Sequence, residues 1–318
     1  MSAKPMRLGI SACLLGQKVR FDGGHKHDNY ITDVLARWFE LVPMCPEIEI
    51  GLGTPRESLQ LVRSGADVRL VAPKSGTDVT AAMLGYADKR ARAITRQHLC
   101  GFVLKKDSPS CGLERVRVYG QEGVPSRDGR GLFAAELVRQ NPALPIEEEG
   151  RLNDPRLREN FLTRVFAYSR WLALEHEGVT RAKLFRFHEH HKYVLMAHSQ
   201  TGLRGLGNLL GSAAKKTDIK ALAAQYLAQF TAIMQRVPSP KNHTNTLQHV
   251  AGYVKEELDA PDRAELAQTI EAYRLGHLPL IVPVTLLRHY VRKFAVGYLL
   301  DQVYLSPHPN ELMLLNHV

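Results

Sequence analysis

Gly101-Phe102-Val103-Leu104, followed by Lys105-Lys106-Asp107-Ser108-Pro109-Ser110-Cys111-Gly112, is the stretch from which this chain is best read. The short apolar run predicts a buried strand. A tight turn rich in serine and proline follows and ends in a cysteine. Two earlier stretches share the design: Leu8-Gly9-Ile10-Ser11-Ala12-Cys13-Leu14-Leu15-Gly16 and Leu41-Val42-Pro43-Met44-Cys45-Pro46-Glu47. Each sets a cysteine just past the carboxyl end of a strand.

Working outward, the first half alternates strand and helix patterns. Strands are expected over 7–15, 39–44, 68–71, 101–104 and 116–119, with an edge strand at 58–62. Asp33–Phe39 has helical spacing. A long helix over Thr80–Leu99 carries Met83, Leu84, Ala87, Ala91 and Ile94 on one face, with Asp78 or Thr80 as its cap. Another helix spans Gly131–Gln140. This alternation predicts a Rossmann-like α/β domain with a parallel sheet covered on both faces. Ligands of such sheets bind beyond the carboxyl ends of the strands, which is where Cys13, Cys45 and Cys111 fall.

Composition changes at Glu147-Glu148-Glu149-Gly150 and Asn153-Asp154-Pro155. Beyond them the pattern is helical: 157–176, 180–200, 202–212, 217–236, 243–257, 261–275 and 283–301, with Ser306–Val318 as a loose tail. The expected organisation is an α/β domain over 1–155 and an all-α domain over 156–318, with the boundary inside 145–185.

The chain has 318 residues, is 44% apolar and carries a formal net charge of +10. Residues 1–155 hold 22 basic against 19 acidic residues, and 156–318 hold 20 against 13. A basic second half favours a polyanionic partner such as nucleic acid. No apolar run approaches a membrane span, and the N-terminus enters a strand pattern at once, so no membrane association and a cytoplasmic location are expected. No stable protein partner is expected. Four cysteines in such a chain point to free, catalytic or metal-bound thiols rather than a disulfide scaffold.

Cys13, Cys45 and Cys111 lack the local C-x-x-C spacing of a zinc ribbon, and any one of them could be a small buried hydrophobe. Together, three thiolates from three loops can hold three corners of a 4Fe–4S cluster and leave one iron not bound by protein, open to substrate. Cys100, at the far end of its strand, reads as a core thiol. Glu47, two residues past Cys45, is an acid/base candidate. Ser108 and Ser110 are either catalytic proton-handling groups or turn-holding serines.

These motifs, in this order, carry a resemblance. Ser11-Ala12-Cys13-Leu14-Leu15-Gly16, Phe21-Asp22-Gly23, Cys45-Pro46-Glu47, Thr54-Pro55-Arg56 and Ser108-Pro109-Ser110-Cys111-Gly112 resemble the thiouracil desulfidases (TudS-like proteins) over residues 5–150. Phe21 stands where that family usually has tyrosine. Lys183-Leu184-Phe185-Arg186-Phe187-His188-Glu189-His190-His191-Lys192 resembles the helical YbgA-like domain. The pairing is similar to RudS-type tRNA 4-thiouridine desulfidases. The resemblance implies a 4Fe–4S cofactor held by Cys13, Cys45 and Cys111, and non-redox removal of sulfur from 4-thiouridine in a tRNA substrate. Ser11, Asp22, Arg56 and Lys105 become substrate-binding candidates. Lys183, Arg186, His188, His191 and Lys192 become nucleic-acid-binding candidates, with Arg204, Lys215, Lys216, Lys220, Lys241, Arg288, Arg292 and Lys293 as further basic positions. Rival readings are a desulfidase of free thiobases, a nucleic-acid-binding iron–sulfur sensor without turnover, and a structural zinc domain.

Overall fold

The structure is a computed structural model that describes residues 6–120, 124–214 and 216–317. The chain divides into two compact units, Met1–Asn153 and Asp154–Val318.

In the first unit, β1 (Met6–Ser11) runs into a 3-10 turn, Ala12–Leu15. A π turn at Tyr30–Val34 and a 3-10 turn at Leu35–Arg37 replace the expected helix over 33–39. Then come β2 (Phe39–Met44), the one-turn helix α1 (Pro46–Glu49), β3 (Gln60–Ser64), β4 (Asp67–Ala72) and β5 (Thr77–Asp78). α2 (Thr80–Arg96), β6 (Leu99–Leu104), β7 (Val116–Tyr119), β8 (Ser126–Gly129), α3 (Leu132–Gln140) and β9 (Ile146–Glu148) complete the unit.

β2, β1, β6 and β9 form a parallel sheet in that order. Gly9 sits at the centre for a steric reason: a Cβ there would lie 2.3 Å from the Phe102 ring on the neighbouring strand. Ser11 pairs with Met44, and Ile10 with Val103. Three adjacent strands therefore end side by side and release the three cysteine-bearing segments on one rim.

The other strands build a second, mixed sheet, ordered β5-β4-β3-β7-β8. The segment expected as an edge strand is central, because Ser64 pairs with Asp67 across a two-residue Gly65-Ala66 loop, and Leu61 and Val62 pair with Val118 and Tyr119 on the other side. Gly65 takes a positive φ of 64°, which a tight hairpin tolerates best with glycine.

α2 buries Met83, Ala87, Ala91 and Ile94, whereas Leu84 is 45% exposed. Asp78 Oδ1 accepts the Thr80 N–H at the helix start. The acidic run lies at the end of β9, shortly before the border between Asn153 and Asp154, which falls inside the expected 145–185. Glu147, Glu148 and Glu149 are all buried, each accepting from nitrogen donors. Glu148 takes the Leu113 N–H, Glu149 the Lys106 N–H and Glu147 the Arg151 Nε–H.

The second unit is helical. It holds α4 (Pro155–His176), α5 (Arg181–His190), α6 (Lys192–His198), α7 (Gln200–Ser212), α8 (Ile219–Met234), α9 (Pro240–Ala251), α10 (Ala260–Arg274), α11 (Ile281–Lys293) and α12 (Gly297–Leu300). Asp154, Thr180, Ser199, Asp218, Ser239 and Asp259 cap six of them through side-chain oxygens. Trp171 stacks on Tyr226 at 5.9 Å, and Phe187 meets Phe230 edge-on at 5.3 Å. This aromatic group lies in a core continuous with Leu184, Leu195, Leu247 and Leu287.

The helix expected over 180–200 breaks at His191, and the one over 283–301 breaks after Lys293. The C-terminal segment is not a loose tail: Leu312, Leu314 and Leu315 are buried, and the Leu315 carbonyl accepts the Ile281 N–H. No described helix is long and apolar enough to cross a membrane.

Candidate active site

Beyond the rim of the parallel sheet lies a cavity of about 460 Å³. Cys13, Cys45 and Cys111 all line it, with Glu47, Arg56, Lys105 and Ser11. The sequence reading left open whether the three strand-end cysteines meet around one space. They do.

Each thiol reaches the cavity by a different local device. Cys13 sits in the 3-10 turn after β1, where its carbonyl takes the Gly16 and Lys26 N–H groups. Cys45 is the residue before α1, with Pro46 opening that helix. Cys111 closes a turn pinned from two sides. Ser108 Oγ accepts the Cys111 and Ser110 N–H groups at 3.0 and 3.3 Å. The start of α3 clamps the same loop: Leu132 N–H donates to the Pro109 carbonyl and Ala134 N–H to the Ser110 carbonyl. Gly131 permits this approach, since a Cβ there would fall 2.4 Å from the Ser110 carbonyl group.

Burial pushes the Cys13 thiol up to about 11, partly offset by Lys105, and also raises Cys45 and Cys111. The thiols are therefore protonated at neutral pH without a metal, and loading a metal centre releases their protons. Cys100 is 1% exposed, and its thiol donates to the Arg7 carbonyl at 3.1 Å, away from the cavity.

Glu47 is fixed by two partners. Arg56 bonds its Oε2 through both Nε and Nη2, and Ser110 Oγ donates to Oε1 at 2.9 Å. Arg56 is itself held by the Val19 and Gly53 carbonyls. The two serines separate in role. Ser110 is fully buried, lies outside the cavity lining and bonds the carboxylate, whereas Ser108 lines the cavity and its hydroxyl accepts from the turn's backbone.

Ser11 Oγ accepts the Lys105 N–H at 2.9 Å and is also hydrogen-bonded to Cys111. Lys105 Nζ pairs with Glu149 at 2.5 Å. Asp22 does not line the cavity: it is exposed, caps the Gly24 N–H and pairs with Arg20. Its neighbour Phe21 does line it, 40% exposed beneath the Arg20 guanidinium at 5.2 Å. Sequence reasoning missed Arg20, Lys26 and Lys106 as cavity residues. The signal was available, because each is a cation inside a loop that carries a recognised motif.

The fit of this site to an iron–sulfur cluster rests on its donor set: three free thiols around one cavity, with Arg20, Arg56, Lys26, Lys105 and Lys106 on its walls to offset anionic thiolates. Among the described residues no group of three His, Cys, Asp or Glu side chains is arranged to chelate a single metal ion. A cluster offers each thiolate its own iron, so its ligands need not converge on one point.

The candidate nucleic-acid residues fare unevenly. His191 is corrected outright. It is 2% exposed, stacked on Phe187 at 4.0 Å and bonded to the Phe187 carbonyl, so it terminates α5 from inside the core. His188 is half-buried against the Tyr226 hydroxyl at 3.1 Å. Lys183 bonds the Glu177 carbonyl and carboxylate, and Lys192 lies over the Tyr193 and Tyr298 rings. Arg186, Arg204, Lys216, Lys220 and Lys241 are exposed. Arg288 bonds Ser306 and Asn310, Arg292 bonds the Arg288 carbonyl, and Lys293 pairs with Asp262. Lys215 lies outside the described residues.

A parallel-sheet domain that gathers three thiols, the Glu47 carboxylate and the side chains of Ser11 and Ser108 around one rim cavity has the layout of an α/β enzyme. Residues 8–149 match the family model described as 2-thiouracil desulfurase, and residues 192–309 match a protein family of unknown function, DUF1722. Over residues 8–149 the chain belongs to the 2-thiouracil desulfurase family, and it carries a DUF1722 domain over residues 192–309.

Two relatives of undescribed activity each cover one half. The Escherichia coli (strain K12) protein YbgA is 31% identical over 51% of this chain and 96% of its own length. The Bacillus subtilis (strain 168) protein YbbK is 32% identical over 46% of this chain and 97% of its own length. A solved [4Fe-4S]-dependent thiouracil desulfidase, TudS, is 35% identical, covering 47% of this chain and 94% of that one, with a TM-score of 0.39.

Proposed function

We propose that the protein is a tRNA 4-thiouridine desulfidase. It exchanges the thiocarbonyl sulfur of a thiolated uracil for oxygen with water as co-reactant, so that C=S and H2O become C=O and H2S with no change in oxidation state. The observation that carries the desulfuration chemistry is Glu47, held between Ser110 and Arg56, on the wall of the cavity lined by Cys13, Cys45 and Cys111.

In this reading the three cysteines hold a 4Fe–4S cluster with one iron not bound by protein. When bound, the cluster supplies a soft Lewis acid for the thiocarbonyl sulfur. The chain's own groups do the rest. Glu47 takes a proton from the water that adds to the thiocarbonyl carbon. Arg56 keeps that carboxylate aimed, and Ser110, buried behind it, donates to its other oxygen and fixes its orientation. Lys105, anchored by Glu149, and the Phe21 ring border the space that the base would occupy.

The tRNA part of the reading is supported by the charge of the second unit and by its exposed cations Arg186, Arg204, Lys216, Lys220 and Lys241. A stacked base must be flipped to reach a rim cavity, which costs a few kcal/mol, and phosphate contacts offset that cost. A second reading, free thiouracil as substrate, is favoured by the cavity volume of about 460 Å³, which is small for anything beyond one base and its sugar. The discriminating experiment measures sulfide release by the anaerobically reconstituted protein. Faster release from thiolated tRNA than from free 4-thiouracil supports the first reading, the reverse order the second, and release from neither rejects both.

A further inference from the structure

The second unit holds a cavity of about 280 Å³ that the desulfuration site does not use. Its apolar walls include Val194, Leu280 and Val284, and its polar side chains include two buried histidines, His198 and His243. The size suits one small ring rather than a chain segment.

The hydrogen bonds already made inside this unit dictate what the two imidazoles can offer. His198 Nδ1 lies 2.6 Å from the Arg236 carbonyl, an acceptor, so Nδ1 carries the proton and donates. A neutral imidazole with a protonated Nδ1 has Nε2 as an acceptor. His243 Nδ1 lies 3.0 Å from the Tyr304 hydroxyl. That hydroxyl is buried, and a buried donor left unmade is expensive. It therefore donates to Nδ1, and His243 Nε2 carries the proton. One histidine then presents an acceptor and the other a donor.

Charge follows the same logic. Burial holds both imidazoles well below their ordinary range, to about 4 for His198 and about 3 for His243, so both are neutral at pH 7. Glu159, on the same wall, is already met by His317 Nε2 at 2.6 Å. Tyr273, also on the lining, packs edge-on to His243, ring centroids 6.3 Å apart. His191 and His308 make the contrast: their Nε2 atoms are sealed in without a partner and line no part of this space.

We infer that this cavity binds a single-ring heterocycle that presents an N–H beside a C=O, the lactam or imide edge of a pyrimidine. The ligand N–H donates to His198 Nε2, and its carbonyl accepts from His243 Nε2–H with the Tyr273 hydroxyl alongside. Such an edge could come from a free base or from a base flipped out of an RNA chain.

The test uses the full-length protein with 15N-labelled histidine, titrated with uracil, with a short oligouridylate and with toluene, and read by imidazole 15N shifts. His198 and His243 report on this cavity alone, so uracil that enters the first unit leaves them unmoved. In the free protein His198 Nε2 is expected to be unprotonated and His243 Nε2 protonated. Uracil is expected to shift both, and Tyr273→Phe to weaken uracil about tenfold with an unchanged melting temperature. Shifts with oligouridylate alone assign the site to a base within a chain. No shift with uracil or oligouridylate overturns the inference, and so does an equal response to toluene, which would make the space a plain apolar void. Unaltered uracil affinity in Tyr273→Phe overturns the assigned contacts. None of these readouts uses sulfide release, so the failure of the desulfidase reading leaves them unchanged.

Discussion

Ser110 Oγ and Glu47 Oε1 lie 2.9 Å apart although 63 residues separate them in the chain. The bond ties the loop after β6 to the turn after β2 and joins two segments that each deliver a cysteine to the cavity. It also separates two serines that look equivalent in the sequence. Ser110→Ala is expected to keep the iron and sulfide content of the reconstituted protein and to slow sulfide release about 10- to 100-fold, the range for losing a hydrogen bond to a charged group. Ser108→Ala removes a turn support instead and is expected to lower cluster retention. Iron content and turnover, measured on both variants, check the assignment.

Arg56 and Glu47 form an ion pair whose side chains are 7% and 16% exposed. Removing one partner strands the other in the cavity. Arg56→Met is expected to destabilise the protein by about 3 kcal/mol, whereas the double variant Arg56→Met, Glu47→Leu recovers most of that loss because the unpaired charge is gone. Urea unfolding of the two variants makes the comparison, and both should lack turnover.

Gly131 is where helix α3 touches the Cys111 loop. Gly131→Ala places a methyl group 2.4 Å from the Ser110 carbonyl group and forces loop and helix apart. The expected cost is about 1–3 kcal/mol, with weaker cluster retention. Gly51→Ala, whose added methyl meets nothing within 4 Å but sits at a φ of 90°, is expected to lose stability through backbone strain and to keep its cluster. Thermal melting and iron content, measured together, distinguish the two cases.

The helical unit should be acid-sensitive. Burial lowers His191 and His243 to about 3 and His198 and His308 to about 4. Between the ordinary value near 6.5 and those folded values the unfolded chain binds more protons than the native one, so stability falls as pH falls. The contribution is complete above about pH 6.5, and by pH 5 each imidazole has given up about 2 kcal/mol. Urea midpoints followed by circular dichroism between pH 7.5 and 5 should decline steadily, and His308→Gln should flatten the slope.

Much of the first unit was legible because strand ends are marked by punctuation. Cys13, Cys45 and Cys111 could be set on one rim from apolar runs followed by Ser, Pro and Gly alone. The mixed second sheet was not legible, since short strands such as β3 and β7 show apolar alternation but no sign of which strand they will pair with. The burial of Glu147–Glu149 was not legible for a physical reason: three carboxylates normally avoid burial, and donors that include Leu113, Lys105, Lys106 and Arg151 make it tolerable. His191 misled similarly. A polar letter in a basic helix reads as surface, and its ring contact with Phe187 is a matter of tertiary packing.

The central claim is that Cys13, Cys45 and Cys111 together hold the cluster on which desulfuration depends. The most direct test is anaerobic reconstitution of Cys13→Ala, Cys45→Ala, Cys111→Ala and Cys100→Ala, with iron, acid-labile sulfide, visible absorbance and sulfide release measured on each. The account predicts that the first three lose cluster and turnover together while Cys100→Ala keeps both. Full cluster content and turnover in any one of the first three would contradict it.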